Sequence, residues 1–274
     1  MSDKWVKKEE DFDLIGTVIF KSLFMSGDRD FFGYDEMIID LDSLLSLVMK
    51  DDLPEEKSER RKLVNTITSN LAYFLELYIT ESKISIYYNL EKYTYFPSIY
   101  EDWCKDRMKR YKNENIRDFI DKFLISKLQK LADLKPNLDL IKTEDSPIID
   151  IWKKIDLHPD KKYIIFSRDP HYNCILSYHD ISIYNGKYLI DRQLMLIEKD
   201  LPKIHYSFLP YYYLIRGMDR NEYKGIKGLG LKKVEALINK EYPLLMTQTH
   251  DVLTTVNQYR KLFFLKEMDE KNPS

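Results

Sequence analysis

Cysteine is nearly absent: Cys104 and Cys174 are the only two in 274 residues, 70 positions apart. So sparse a set excludes a disulfide-stapled scaffold and a multi-cysteine zinc module, and it fits two free thiols in a reducing compartment. No apolar run approaches the length that spans a bilayer, and no apolar leader opens the chain; the longest runs resemble Leu44–Met49. A protein of the cytoplasm, or of a host cell's cytoplasm, is therefore expected, with no membrane partner. Charge of one sign is also lacking. Lys and Arg number 43 against 45 Asp and Glu, a net of −2, so a nucleic-acid partner has to be argued from local charge. Glycine is scarce at 8, which makes its placement informative. What is abundant is aromatic: 21 Tyr and 13 Phe within a hydrophobic share of 44%, enough for a sizeable core. Low Gly with much Lys, Ile, Asn and Tyr suggests an AT-rich, viral genome.

Three of the eight glycines fall in one stretch. Gly225, Gly228 and Gly230 interrupt the sequence between Arg216 and an amphipathic segment in which Leu231, Val234, Leu237 and Ile238 share a face. The spacing predicts a tight hairpin with positive φ and close backbone approach, followed at once by a helix start. Helix-start N–H groups favour anions, and Lys227, Lys232 and Lys233 add charge there, which suits a phosphate backbone gripped without base reading.

Elsewhere the chain alternates short apolar runs with helical periodicity. Residues 1–33 are expected to form a helical appendage that docks on the body or on a larger replication or transcription complex. Residues 34–200 read as an α/β domain and 201–274 as a helical region carrying the glycine-rich turn. Predicted strands are Glu36–Asp40, Lys83–Tyr88 and Tyr163–Phe166, followed by a hairpin of Ile181–Tyr184 and Tyr188–Ile190 turning at Asn185-Gly186. Helices are predicted through 44–48, 62–82, 116–133 and 145–155. The fold class is α/β: a mostly parallel central sheet flanked by helices, with a helical C-terminal region.

Acids fall where an open parallel sheet does its chemistry, just past strand ends. Asp40, Asn89 and Asp169 occupy such positions, and Glu144-Asp145 opens a helix. Converging carboxylates are stable together when hard divalent cations hold them, which points to Mg²⁺ or Mn²⁺ and phosphodiester chemistry. Taken singly, each acid also reads as a helix N-cap. Residues 90–115 interleave aromatics with cations, including Tyr95, Tyr100, Trp103, Lys105, Arg107, Lys109, Arg110 and Lys112, a mixture suited to single-stranded or junction DNA.

Met37–Leu45, Tyr95–Arg107, Ile164–Asp169 and Gly217–Gly230 together, in that order, resemble the flap endonuclease / 5′-nuclease family. The layout is nearest to its small phage members. The resemblance covers roughly residues 35–265 and implies a PIN-like nuclease fold with a helix–three-turn–helix (a helix-hairpin-helix type of unit) on duplex DNA. The family's catalysis uses a ring of acids around two divalent ions. By position, Asp40, Glu144 and Asp169 match acids of one metal site. Asn89, Ser146, Pro147, His171, Met218 and Asn221 replace others, and the second site keeps no carboxylate; Asp42, Asp145 and Asp219 lie one or two residues away from lost positions. The reading is a DNA-binding protein, catalytically degenerate, acting as a structural or recruiting subunit in phage replication, recombination or transcription. DNA would be held, without a required cofactor, by Gly225, Lys227, Gly228, Gly230, Lys232, Lys233, Trp103, Lys105, Arg107, Lys109 and Arg110. The alternative is a working Mg²⁺- or Mn²⁺-dependent 5′-nuclease with one residual site on Asp40, Glu144 and Asp169. Lys105 and Arg107 would then steady the phosphate, and His171 would serve as acid, base or ligand.

Overall fold

The computed structural model describes residues 33–42, 83–91, 93–105, 114–185, 189–192, 204–218, 221–238 and 246–264, with scattered positions between 56 and 65. The helix expected at 44–48, the helix expected at 62–82 apart from Lys62 and Asn65, the appendage 1–33 short of its last residue, and Arg107, Lys109, Arg110, Lys112 and Asp219 lie outside those residues.

Six strands build the sheet: β1 (Glu36–Asp40), β2 (Lys83–Tyr88), β3 (Leu138–Lys142), β4 (Tyr163–Phe166), β5 (Ser182–Tyr184) and β6 (Leu189–Ile190), in spatial order β3-β2-β1-β4-β5-β6. All pairings are parallel except β5–β6, which pair antiparallel as the expected hairpin requires. The interiors of β1 and β4 are continuous apolar runs, and that of β2 is broken only by Ser85, because both faces of a parallel sheet are covered. β3 was not foreseen. Its alternation, Leu138-Asp-Leu-Ile-Lys142, is that of a half-buried edge strand, too weak a signal beside the long helix before it.

That helix begins as α1 (Glu114–Phe119), passes through a π-helical stretch (Ile120–Ile125) and continues as α2 (Ser126–Leu134), close to the expected 116–133. α3 (Pro147–Leu157) starts on a proline whose missing N–H costs nothing at a first turn. It buries Ile148, Ile151, Trp152 and Ile155, and Lys154 on its last turn pairs with Glu36 at the start of β1. Glu36 also accepts from the Ser85 hydroxyl, so this buried carboxylate is satisfied from two elements.

A 3₁₀ helix (Pro170–Ser177) leaves the end of β4 and packs on α4 (Leu209–Arg216). Beyond a loop come α5 (Leu231–Ile238), α6 (Met246–Tyr259) and a closing 3₁₀ turn (Arg260–Leu262). One hydrophobic core runs from the sheet into this C-terminal part, since Leu209, Leu214, Val234, Leu262 and Phe263 are buried with the sheet's residues. Among the described residues no helix is long and apolar enough to cross a membrane.

Candidate nucleic-acid interface and acidic rim

The strand order reverses at β1. The chain runs outward through β2 and β3, then returns to place β4 on the other side of β1. The crevice past the carboxyl ends of β1 and β4 is therefore the switch point where an open α/β sheet binds its ligand. Asp40 ends β1 and Ser167–Asp169 follow β4, which brings two of the candidate acids to this place.

Their carboxylates are buried and hydrogen-bonded. Asp40 Oδ1 accepts the Asp42 N–H at 3.1 Å, and its Oδ2 accepts the Ser167 hydroxyl at 3.2 Å. The same Ser167 oxygen accepts the Asp169 N–H at 3.1 Å, so Ser167 bridges the two acids. Asp169 caps the 3₁₀ helix through the His171 N–H at 3.0 Å, and its other oxygen accepts the Asn221 side-chain amide at 3.2 Å. Ser167 was not singled out in the sequence; the Ser-x-Asp spacing after an apolar strand was the available signal.

The remaining rim positions serve other ends. Glu144 is exposed. Asp145 caps a short helix distant in sequence, Tyr95–Ile99: its Oδ2 accepts the N–H groups of Thr94 (3.0 Å) and Tyr95 (2.9 Å) and the Thr94 hydroxyl, while Oδ1 accepts the Ser146 N–H. Asn89 donates to the Asp145 carbonyl at 2.9 Å and accepts from the Glu91 N–H at 2.7 Å. Among the described residues no three His, Cys, Asp or Glu side chains gather closely enough to hold a metal ion. The Asp169 carboxylate accepts from the His171 N–H and the Asn221 amide, hydrogen-bond donors where a two-ion centre would need further oxygen ligands.

His171 corrects an expectation. Its ring is buried against Phe96, Trp103 and Phe263 at centroid distances of 5.0–5.7 Å, and Nε2 lies 2.6 Å from the Leu262 carbonyl. It bolts the closing turn of the chain onto the body, and this geometry offers it neither to a metal nor to a substrate. Trp103, expected to face DNA, is 1% exposed and stacks on Phe96 at 5.2 Å within the same cluster. Its interleaving with cations misled because the chain makes a tight turn there. Cys104 takes φ +55° and sends the indole inward while Lys105 remains outside, ion-paired with Asp102 at 2.7 Å. Tyr100 is half-buried, edge-on to Tyr223 and Tyr259. Burial, with nearby acids adding to it, raises its phenol above the ordinary range.

The glycine-rich segment forms the predicted helix–loop–helix between α4 and α5. Its glycines divide into two kinds. Gly217 (φ +91°) and Gly225 (φ +60°) sit back to back: a Cβ on Gly225 would meet the Arg216, Gly217 and Ile215 backbone at 2.5 Å, and one on Gly217 the Tyr223 carbonyl at 2.5 Å. Gly225 is thus needed for internal packing, a correction to its assignment as a ligand-facing position. Gly228 (φ +86°) and Gly230 have nothing within 4 Å of a Cβ, so they border open space. Lys227, Lys232 and Lys233 are exposed around them. The first α5 closures run from the Lys233 and Val234 N–H groups to the Gly230 carbonyl, which leaves the earlier N–H groups of that helix start without intrahelical acceptors.

The fold has counterparts among solved structures. The chain matches the bacteriophage T5 D15 protein co-crystallised with metal ions at a TM-score of 0.60, with 12% identity over 84% of this chain and 89% of that one. It matches the T5 D15 flap endonuclease, in a pseudo-enzyme–product complex with DNA and metal ions, at 0.59 and 13% over 84% and 86%. A T5 5′-exonuclease with bound zinc scores 0.59 at 12% identity, covering 84% and 88%. The fold is that of a phage flap endonuclease. No family model and no curated protein sequence matches the chain.

Proposed function

We propose that this chain, which has a phage 5′-nuclease fold, binds duplex or junction DNA through its helix–loop–helix and does not cut it. It would serve as a structural or recruiting subunit in phage DNA replication, recombination or transcription. The observation that carries the reading is the split among the glycines. Gly217 and Gly225 are consumed by the loop's own packing, whereas Gly228 and Gly230 face open space amid three exposed lysines. Positive φ already calls for glycine at 228, but together with Gly230 it leaves a side-chain-free surface that a phosphate can approach closely, and a phosphate suits both its N–H groups and its cations. The T5 flap endonuclease of the same fold has been crystallised with DNA. The loss of catalysis is supported by the second-metal positions: Met218 is buried, His171 is bonded to Leu262, and Asn221 is bonded to Asp169.

A second reading is favoured by one observation: Asp40 and Asp169 are both buried at the switch point, where the Ser167 hydroxyl links the Asp40 carboxylate to the Asp169 backbone N–H. It is a working 5′-nuclease with one Mg²⁺ or Mn²⁺ on Asp40, Asp169 and Glu144, and exposed Glu144 would have to be recruited to it. The two readings separate when purified protein meets end-labelled 5′-flap and nicked duplex DNA in Mg²⁺ and in Mn²⁺, with Asp40→Ala as control. A gel shift without cleavage in either protein supports the binder; cleavage that vanishes in Asp40→Ala overturns it in favour of the nuclease.

A further inference from the structure

We infer that Asn221 is a positioning residue whose side-chain amide takes the place of a divalent cation at Asp169, making the folded loop, and the DNA grip that follows it, indifferent to metal. This deepens the proposed function at the same site and rests on that reading only for its DNA-binding arm. Asn221 is fully buried, and it joins three segments. Its side-chain amide donates to Asp169 Oδ2 at 3.2 Å, after β4. Its backbone carbonyl accepts from the Cys104 N–H at 3.0 Å, at the aromatic turn, and its own N–H donates to the Met218 carbonyl at 3.0 Å within the glycine-rich loop.

The chemistry of the side chain explains why an amide stands there. Asn221 Oδ1 is buried with no hydrogen-bond partner. A neutral carbonyl oxygen tolerates that at modest cost, whereas a carboxylate oxygen there would be a second desolvated negative charge facing Asp169. An Asp at 221 would need a cation between the two side chains or a proton shared by them at the cost of a raised carboxyl pKa, as like charges at contact distance do. The amide removes that need by donating where a cation would have sat. The loop it fixes closes through paired hydrogen bonds of Met218 and Tyr223 and leads directly into Gly225–Gly230. The orientation of the DNA-facing backbone is thereby set by a hydrogen bond instead of an ion.

The test is thermal unfolding without DNA, in EDTA, Mg²⁺ and Mn²⁺, together with duplex affinity under the same conditions at matched ionic strength. Wild type is expected to unfold within about 1 °C in all three, since no ion binds the native state selectively. Asn221→Asp is expected to unfold roughly 3–9 °C lower in EDTA and to recover in Mn²⁺. Asn221→Ala should fall in EDTA without recovery. The reciprocal double variant Asp169→Asn/Asn221→Asp keeps one amide and one acid, and should regain stability in EDTA. That arm still decides the matter if Asn221→Asp alone fails to fold. Metal-dependent stabilisation of wild type overturns the inference; so does an Asn221→Asp protein as stable in EDTA as wild type, or a double variant no better than the single. Failure of duplex binding with these thermal results intact would instead count against the DNA-binding reading.

Discussion

Gly225→Ala is the sharpest perturbation of the proposed interface, because the neighbouring Gly228→Ala serves as its internal control. At Gly225 a methyl group meets three backbone atoms at 2.5 Å, and the residue sits at φ +60°. Left-handed backbone costs an L-residue about 1–2 kcal/mol, and forced backbone displacement in a packed site adds about 1–3 kcal/mol. The sum is roughly 2–5 kcal/mol, or about 5–15 °C in melting temperature for a chain of this size. At Gly228 the methyl group meets nothing, so only the conformational cost at φ +86° applies, about 1–2 kcal/mol. Circular-dichroism melting should therefore show a large drop for Gly225→Ala and a small one for Gly228→Ala. Duplex-DNA titration below both melting temperatures should show the reverse emphasis for Gly228→Ala: a loss of affinity out of proportion to its stability. Equal stability losses would refute the division of the glycines, and unchanged DNA affinity in Gly228→Ala would refute an approach by phosphate at that position.

The remaining expectations rest on single features. Reversing Lys227, Lys232 and Lys233 to Glu should leave melting nearly unchanged while cutting duplex affinity; each phosphate no longer neutralised should flatten the log K against log salt slope by about 0.9, read by fluorescence anisotropy. Trp103→Ala should cost about 3–5 kcal/mol in denaturant unfolding, as a fully buried aromatic does, and Trp103 should resist acrylamide quenching with or without DNA. His171→Ala should free the closing turn, so that limited proteolysis cuts near Leu262 well before the body of the protein. Alkaline stability should fall steeply above pH 10. Burial raises the phenols of Tyr163 and Tyr212 to about 12, and pushes those of Tyr87, Tyr213 and Tyr223 beyond that. The native state keeps those protons after the unfolded chain has released its own, so the stability present below pH 10 is lost as pH climbs toward 12. Exposed tyrosines such as Tyr211 should ionise gradually near pH 10, and a further step in tyrosinate absorbance at 295 nm should accompany the loss of ellipticity; complete ionisation near pH 10 with the fold intact would contradict the burial.

By itself the sequence determined what short-range patterning can carry. Short runs rich in Ile and Tyr marked β1, β2 and β4, because strands buried on two sides carry apolar residues on both faces with few polar interruptions, Ser85 being one. Scarce glycines, gathered between two amphipathic helices, marked the helix–loop–helix. The acids past β1 and β4 were legible for the same reason, since a strand end fixes where its next side chain stands.

The use of each polar or aromatic side chain was settled by the packed chain, because it depends on partners distant in sequence. Asp145 spends its carboxylate on Thr94 and Tyr95, some 50 residues earlier. His171 meets a carbonyl 91 residues later, and Asn221 meets Asp169 across 52. Trp103 and Lys105 are two positions apart, yet one is core and the other solvent, because a left-handed turn at Cys104 rotates the chain between them. Gly225 and Gly228 are alike in sequence context, and only the backbone folded against Gly225 tells them apart. Periodicity reports which face of an element is apolar; which atoms meet across that face is a property of the packed chain.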